Sequence, residues 1–316
     1  MDTVVVTGGA GFIGSHLCER LLKEDYKVIC VDNLLTGSNS NITHLSTNSN
    51  FSFIKHDIIT PLALDIKVNA VFHLASPASP NHHSPISYHV LPLETMLANT
   101  TGTLQLLKFA KKNNATFLFA STSEVYGDPL EHPQKEEYRG NVSTTGPRSV
   151  YDEAKRFGET LVAHFWRDGV DARIARIFNT FGPRMRKDDK RMIVDFINSA
   201  LEGRPITIFG DGTQTRSLCF VDDTIEGLMR MMFYPNTTKE IINIGSQKEF
   251  TVLEYAALVK QLTSSDSEIQ HTEELPKDDP RQRRPDIEKA KKILKWSPET
   301  SLEYGLNATI DYFKIK

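Results

Sequence analysis

Apolar residues along this chain fall into two kinds of stretch. Val4-Val5-Val6, Val28-Ile29-Cys30-Val31, Phe51-Ser52-Phe53-Ile54, Ala70-Val71-Phe72-His73-Leu74 and Phe117-Leu118-Phe119-Ala120 are short, almost continuous runs rich in β-branched and aromatic residues. Runs of that kind suit strands covered on both faces. Between them the apolar residues recur three and four apart: Phe12, Ile13, Leu17, Leu21 and Leu22, then Met96, Leu97, Leu104, Leu106, Leu107 and Ala110. That spacing predicts a helix opening at Phe12 and another over Thr95–Lys112. Strands alternating with helices from residue 3 to 120 predict an α/β fold built on a right-handed, doubly wound parallel sheet. Ligands on such a sheet bind at the carboxyl ends of its strands. The Ser-, Thr- and Asn-rich stretch 39–50 predicts an exposed loop, and 77–92 an irregular segment.

Past Phe178 the elements shorten and the loops lengthen. This divides the chain into a nucleotide-binding domain over 1–178 and a smaller carboxyl-terminal α/β lobe over 179–316 that binds substrate. Asn179–Arg184 is expected to close the main sheet. Phe220-Val221-Asp222-Asp223 starts an amphipathic helix to about 233 that returns to the first domain, with Met229 and Met232 as core filler. A strand follows at Ile241–Gly245, then a helix over Thr251–Leu262.

Composition narrows the function by exclusion. The chain of 316 residues has 39% hydrophobic and 24% charged residues and a net charge of −3, an ordinary globular balance with no bulk attraction to nucleic acid or an anionic membrane. A strand beginning at residue 3 or 4 leaves no room for a signal peptide, and no apolar run approaches membrane-spanning length. Cys18, Cys30 and Cys219 are odd in number and lack metal-ligand spacing, which reads as reduced thiols in a cytoplasmic protein. His82-His83, with His89 nearby, has no carboxylate or Cys partner at ligand spacing, so no metal site is assigned.

The first strand ends in Thr7-Gly8-Gly9-Ala10-Gly11-Phe12-Ile13-Gly14. Glycines 8, 11 and 14 between a strand and a helix allow a tight turn, close approach to a pyrophosphate, and a helix N-terminus aimed at the anion. The second strand ends in Asp32, with Asn33 beside it and no adjacent arginine. An acid there accepts from a ribose and repels a 2′-phosphate, which selects NAD over NADP and makes the sheet a Rossmann fold. Asp57, just past the third strand, reads either as an adenine contact or as a helix cap. Ala75-Ser76 are small enough for a cofactor to lie against the fourth strand's end.

Ser121-Thr122-Ser123-Glu124 ends the last of these strands, and Tyr151-Asp152-Glu153-Ala154-Lys155 opens a helix running to about Trp166. Tyr151 and Lys155, four apart, share one helix face. A lysine cation one turn away, together with a positive nicotinamide, favours the phenolate and makes it a usable base. With a hydroxyl from residues 121–123 to share the substrate's proton, the set predicts hydride transfer between a carbinol and NAD.

These segments resemble the UDP-glucuronate decarboxylases of the extended short-chain dehydrogenase/reductase family over nearly the whole chain. The resemblance is carried by Thr7–Leu17, His73–Pro80, Ser121–Pro129, Gly146-Pro147-Arg148, Tyr151–Arg156, Arg173–Met185, Gly210–Arg216 and Asp278–Asp286. It implies that Tyr151, Lys155, Thr122, Ser123, Glu124 and Arg283 form the catalytic set. It also implies an NAD site of Gly8, Gly11, Phe12, Ile13, Gly14, Asp32, Asn33, Thr36, Gly37, Asp57, Ile58, Leu74, Ala75 and Ser76 with Tyr151 and Lys155. A UDP-sugar site follows at Asn179, Arg184, Arg191, Phe209, Arg216 and Arg283, together with a homodimer through the Thr95–Lys112 and Tyr151–Trp166 helices. Ser123 stands where nucleotide-sugar 4,6-dehydratases carry an acid, which argues against a dehydratase or 4-epimerase. An activated Tyr151 argues against a non-catalytic binding protein. One segment departs from the family: the loop between Pro80 and Asn99 is longer, and Leu97-Ala98 replaces a Lys-Thr whose lysine touches substrate, leaving Arg283 or a loop histidine to supply a cation.

Overall fold

The computed structural model describes residues 1–274, 280 and 282–315. Its first elements are β1 (Thr3–Thr7), α1 (Phe12–Lys23), β2 (Lys27–Asp32), β3 (Phe51–Lys55) and β4 (Ala70–His73). Next come α2 (Pro92–Leu97), α3 (Thr103–Asn113), β5 (Thr116–Thr122), α4 (Ser149–Arg167) and β6 (Ala172–Ile177). After these follow β7 (Thr180–Phe181), α5 (Met192–Leu201), β8 (Ile206–Phe209), β9 (Thr215–Ser217), β10 (Cys219–Phe220), α6 (Val221–Phe233) and β11 (Ile241–Ile244). The chain ends with β12 (Glu249–Thr251), α7 (Val252–Thr263), β13 (Ile269–Glu273), α8 (Glu288–Leu294) and α9 (Leu302–Ile315).

The predicted sheet is present: seven strands in the order β11-β6-β5-β4-β1-β2-β3, every pair parallel. Continuous apolar runs are needed because successive residues face opposite buried layers. Val4, Val6, Val28, Cys30, Phe72 and Leu118 pack with Leu17 and Leu21 of α1 and Leu228 and Met229 of α6. Val5, Ile29, Val31, Val71, Phe117 and Phe119 pack with Leu106 and Leu107 of α3 and Val162 and Phe165 of α4. Each such side chain contributes roughly 1.5–3 kcal/mol when fully buried. The remaining elements pair off as β7 with β10, β8 with β13 and β9 with β12, and α5 packs on α7 and α9. Among the described residues no helix is long and apolar enough to cross a membrane.

Three expectations change. Asn179–Arg184 does not close the main sheet. That edge belongs to β11, because α6 crosses back over the sheet and delivers Ile241–Ile244 beside β6. The stretch 39–50 is not simply exposed: it forms two 3-10 turns, Ser38 capping the first, with Asn41, Ile42 and Leu45 buried. The helix expected from Thr95 begins at Pro92, whose ring suits a first helical position, and a π-turn at Ala98–Gly102 separates α2 from α3.

Candidate active site

The carboxyl ends of β1 to β6 open into one cavity of about 920 Å³, lined by all the residues named above as cofactor, catalytic and substrate contacts. At one end lies the glycine turn. Gly8 has φ +73°, and a Cβ there would lie 2.7 Å from the Ala75 nitrogen; a Cβ on Gly14 would lie 2.1 Å from the Gly8 oxygen. Only glycine permits both approaches. The N-cap of α1 is Gly11, which has no side chain to cap the helix. Phe12 and Ile13 of its first turn line the cavity.

Asp32, at the end of β2, accepts hydrogen bonds from the Ala10 N–H at 3.0 Å and the Leu34 N–H at 2.8 Å. Burial nevertheless pushes its carboxyl above the ordinary value. Thr36 and Gly37 lie beside it on the wall. Asp57 accepts from the Ile59 N–H at 3.1 Å and from Asn33 Nδ2 at 3.1 Å. It caps a turn, no helix following it as the helix-cap reading expected, and lines the cavity next to Ile58. Leu74, Ala75 and Ser76 complete this end, with Ser76 Oγ accepting from Asn99 Nδ2 at 2.7 Å.

Tyr151 and Lys155 project from the first turns of α4 toward the end of β5, and both are buried. Lys155 Nζ donates to the Ala120 oxygen at 2.6 Å and stands 5.7 Å from the Tyr151 ring centre. Burial lowers the lysine pKa to about 7. Burial and then the Glu124 charge push the Tyr151 hydroxyl well above its usual value, against a hydrogen bond with Thr122 and the charge of Arg191. The protein's own groups thus favour the protonated phenol, so the positive nicotinamide expected to act together with Lys155 is the cation that would favour the phenolate.

Beyond Tyr151 lies a buried charge cluster. Glu124 sits in the 3-10 turn after β5, with Arg148 Nη2 at 2.8 Å and Arg283 Nη1 at 3.5 Å. Tyr88 donates its hydroxyl to Glu124 at 3.2 Å and stacks on the Tyr151 ring, centres 5.0 Å apart and planes 8° apart. Arg148 and then Arg283 hold the Glu124 carboxyl down to about 2 against a large burial effect. Arg283 is fixed by its neighbours: Gln134 accepts from the Arg284 N–H and donates its own N–H to the Arg284 carbonyl, while Ser217 Oγ donates to the Arg283 carbonyl. Asp278, Asp279 and Arg281 of the same motif lie outside the described residues.

The far wall carries the candidate nucleotide contacts. Phe209 ends β8, with the His82 ring stacked 6.2 Å away. Arg191 pairs with Asp189 at 3.3 Å, and Arg216 donates to the Thr215 carbonyl at 2.8 Å. Arg184 pairs with Glu19 of α1 through Nη2, and its buried Nη1 has no hydrogen-bond partner. Asn179 lies between β6 and β7 on the same wall.

Three conspicuous side chains went unassigned in the sequence. Arg148 stands in a quoted motif but is given a role only by its contact with Glu124. Tyr88 comes from the segment read as irregular. Asp152 follows Tyr151, off the face shared with Lys155, yet it is buried, and burial and then the Glu124 charge push its carboxyl up to about 9. Leu97, where the lysine is missing, lines the cavity beside Glu94.

Comparison with known proteins gives one answer. Residues 4–245 match the model of the NAD dependent epimerase/dehydratase family. The chain belongs to that family. Among this family's characterised members, the chain is 47% identical to UDP-glucuronic acid decarboxylase 1 of Danio rerio over 98% of its own length and 72% of that protein. It is 49% identical to UDP-glucuronic acid decarboxylase 6 of Arabidopsis thaliana, covering 99% and 89%. In structure it is similar to the UDP-glucuronic acid 4-epimerase of Bacillus cereus, solved with UDP-glucuronic acid and NAD. That likeness has a TM-score of 0.86 and 32% identity over 99% of both chains. NAD is thus the cofactor of this epimerase/dehydratase chain, and the site fits it. The crevice between Gly8 and Gly14, which any Cβ would fill, lies at an α1 N-terminus without a side-chain cap, and a buried carboxylate closes β2.

Proposed function

We propose that this chain removes CO2 from UDP-glucuronate to give UDP-xylose through a 4-keto intermediate. The observation that carries this reading is the pair of buried guanidiniums, Arg148 and Arg283, converging on Glu124 next to Tyr151. Cations at that depth suit a sugar bearing a carboxylate. Held by the Gly8–Gly14 turn and Asp32, NAD would supply a reversible hydride acceptor for sugar C4. Tyr151 takes the C4 hydroxyl proton, with Thr122 hydrogen-bonded at the same oxygen, and Lys155 supports the phenolate from below. The ketone at C4 is β to the C5 carboxylate, so CO2 leaves as its electrons pass to the ketone oxygen. Tyr151 and Thr122 hold the resulting enolate. Glu124, fixed by Arg148 and Arg283, orients the ring and handles the proton at C5, while Ser123 offers no acid to expel a C6 hydroxyl.

The nucleotide lies along the far wall, with uracil at Phe209 and the diphosphate at Arg191, Arg216 and Arg184, near Asn179. In this reading the sheet layer, including α6 and β11, binds NAD, and the remaining elements after residue 179 bind the UDP-sugar. Exposed Phe157 on α4 supports a homodimer through the helices over Thr95–Lys112 and Tyr151–Trp166. The buried unpaired thiols of Cys18, Cys30 and Cys219 suit a reducing, cytoplasmic setting.

The test supplies NAD with UDP-glucuronate or UDP-glucose and follows CO2 and nucleotide products. Carbon dioxide and a UDP-pentose from the acid support the reading. A hexuronate epimer formed without CO2 supports a 4-epimerase instead, and turnover of UDP-glucose alone a dehydratase.

A further inference from the structure

The connection from β8 to β9 folds back on the wall that carries Phe209. Asp211 Oδ1 holds the turn by accepting from the Thr213 N–H at 2.9 Å and from the Thr213 hydroxyl at 2.7 Å. Gln214 follows. Its backbone carbonyl accepts from the Val252 N–H at 3.0 Å, and its side-chain Nε2 donates to the Phe209 carbonyl at 2.9 Å. A carbonyl needs a donor, so this bond fixes which way the amide points. The nitrogen is committed to Phe209 and the oxygen is left over. That oxygen, Oε1, is buried and has no hydrogen-bond partner among the described residues. Gln214 is only 7% exposed, yet it lines the cavity with Thr207, Phe209 and Arg216. Buried amide oxygens are nearly always paired. On a cavity wall the missing donor can belong to a ligand.

We propose that Gln214 is a specificity-determining residue whose Oε1 accepts a hydrogen bond from the N3–H of a uracil lying against Phe209. This rests on the reading above, in which the nucleotide lies along this wall with its base at Phe209. Uracil carries a donor at N3, where cytosine carries a bare nitrogen that is itself an acceptor. Cytosine would set two acceptors against each other and leave both buried without a proton between them. A site built to bond an N–H rejects an analogue that lacks it far more strongly than an apolar pocket rejects a small change of shape. Gln214 stands in the Gly210–Arg216 segment, where sequence reading assigns only Arg216.

The test measures the affinities of UDP and CDP for the NAD-loaded chain at neutral pH by calorimetry. The two ligands differ only in the base, so contacts to ribose and diphosphate cancel in their ratio. The native chain is expected to bind UDP at least about tenfold more tightly than CDP, the usual cost of a buried hydrogen bond left unmade. Gln214→Met fills much the same volume without an acceptor, and the preference should fall by about tenfold. Gln214→Glu keeps an oxygen at the site and should retain the preference, since its added charge acts on both diphosphates alike. If Gln214 only braced the Phe209 carbonyl, Gln214→Met would weaken both nucleotides equally. An unchanged ratio in Gln214→Met therefore overturns the proposal, as does equal native affinity or a preference lost in Gln214→Glu.

Should neither variant fold, the native chain is titrated with 3-methyl-UDP and 5-methyl-UDP. Both carry one added methyl on the base, but only the second keeps the N3–H. Binding of 3-methyl-UDP weaker by about tenfold or more supports the proposal, and equal binding of the two overturns it. None of these measurements needs turnover. A chain that shows the preference but releases no CO2 supports the proposal and refutes the decarboxylase reading, whereas a native chain that binds neither UDP nor CDP overturns the nucleotide reading and the proposal with it.

Discussion

Replacing Lys155 with Met should destroy activity while making the protein more stable, and the gain should shrink as pH rises. Burial lowers the lysine pKa from 10.5 to about 7. Between those values the unfolded chain binds a proton that the folded chain releases, so the stability of the native protein climbs with pH through this window. Expressed as free energy, the buried ammonium costs about 4 kcal/mol near pH 7 and about 2 kcal/mol near pH 9. Methionine removes that cost at both. It also strips the Ala120 carbonyl of the amine that donates to it at 2.6 Å, a loss of roughly 1–3 kcal/mol that does not depend on pH. The net expectation near neutral pH is a variant more stable by roughly 1–3 kcal/mol, with the advantage falling by about 2 kcal/mol toward pH 9. Urea unfolding of NAD-free native and Lys155→Met protein at the two pH values measures it. If the stability difference is the same at both, the lysine is not carrying a buried charge, and the reasoning about its environment is wrong.

Tyr151→Phe should still bind NAD, weaker by no more than about tenfold, the worth of one hydrogen bond, while CO2 release from UDP-glucuronate falls by roughly a hundred- to ten-thousand-fold, the usual contribution of a positioned base; gas release and NAD titration check the two halves. Gly14→Ala sets a methyl 2.1 Å from the Gly8 oxygen, and NAD titration should show affinity reduced at least about tenfold as the turn moves, at an overpacking cost of roughly 1–3 kcal/mol. Tyr88→Phe keeps the ring stacked on Tyr151 but removes the 3.2 Å bond to Glu124. Steady-state kinetics should show kcat/KM for UDP-glucuronate lower by roughly ten- to a hundred-fold, the worth of a hydrogen bond to a charged group.

The sheet was legible because its signal is local. Five apolar runs with both faces to cover, separated by helix-period stretches, leave few topologies, and the structure adopts the expected parallel one. The glycine turn was equally local, since Gly8, Gly11 and Gly14 satisfy a steric demand within a few residues of each other. Errors came where long-range packing decided. Nothing in Ile241–Ile244 itself says that it will pair with β6 in place of Asn179–Arg184. That outcome depends on α6 crossing the sheet to bury Leu228, Met229 and Met232. Similarly, the Ser- and Asn-rich stretch after Asp32 has a loop composition, yet Ile42 and Leu45 reach the core.

The sugar end was legible only in part, for a related reason. Tyr151 and Lys155 could be found from spacing on one helix, but the chemistry around Glu124 is assembled from three segments besides its own. Tyr88 arrives from a loop, Arg148 and Asp152 from the entry to α4, and Arg283 from a strand-like segment latched to Gln134. Helix-face logic pairs residues four apart and therefore passes over Asp152, whose carboxyl is raised by burial and the Glu124 charge. Loop aromatics such as Tyr88 have no periodicity to betray them. The missing lysine at Leu97 looked like a loss of cationic character when read along the chain. In space, Arg148 joins Arg283, already named from the sequence as a compensating cation, at Glu124, so the second cation comes from the entry to α4, where matching assigned no role.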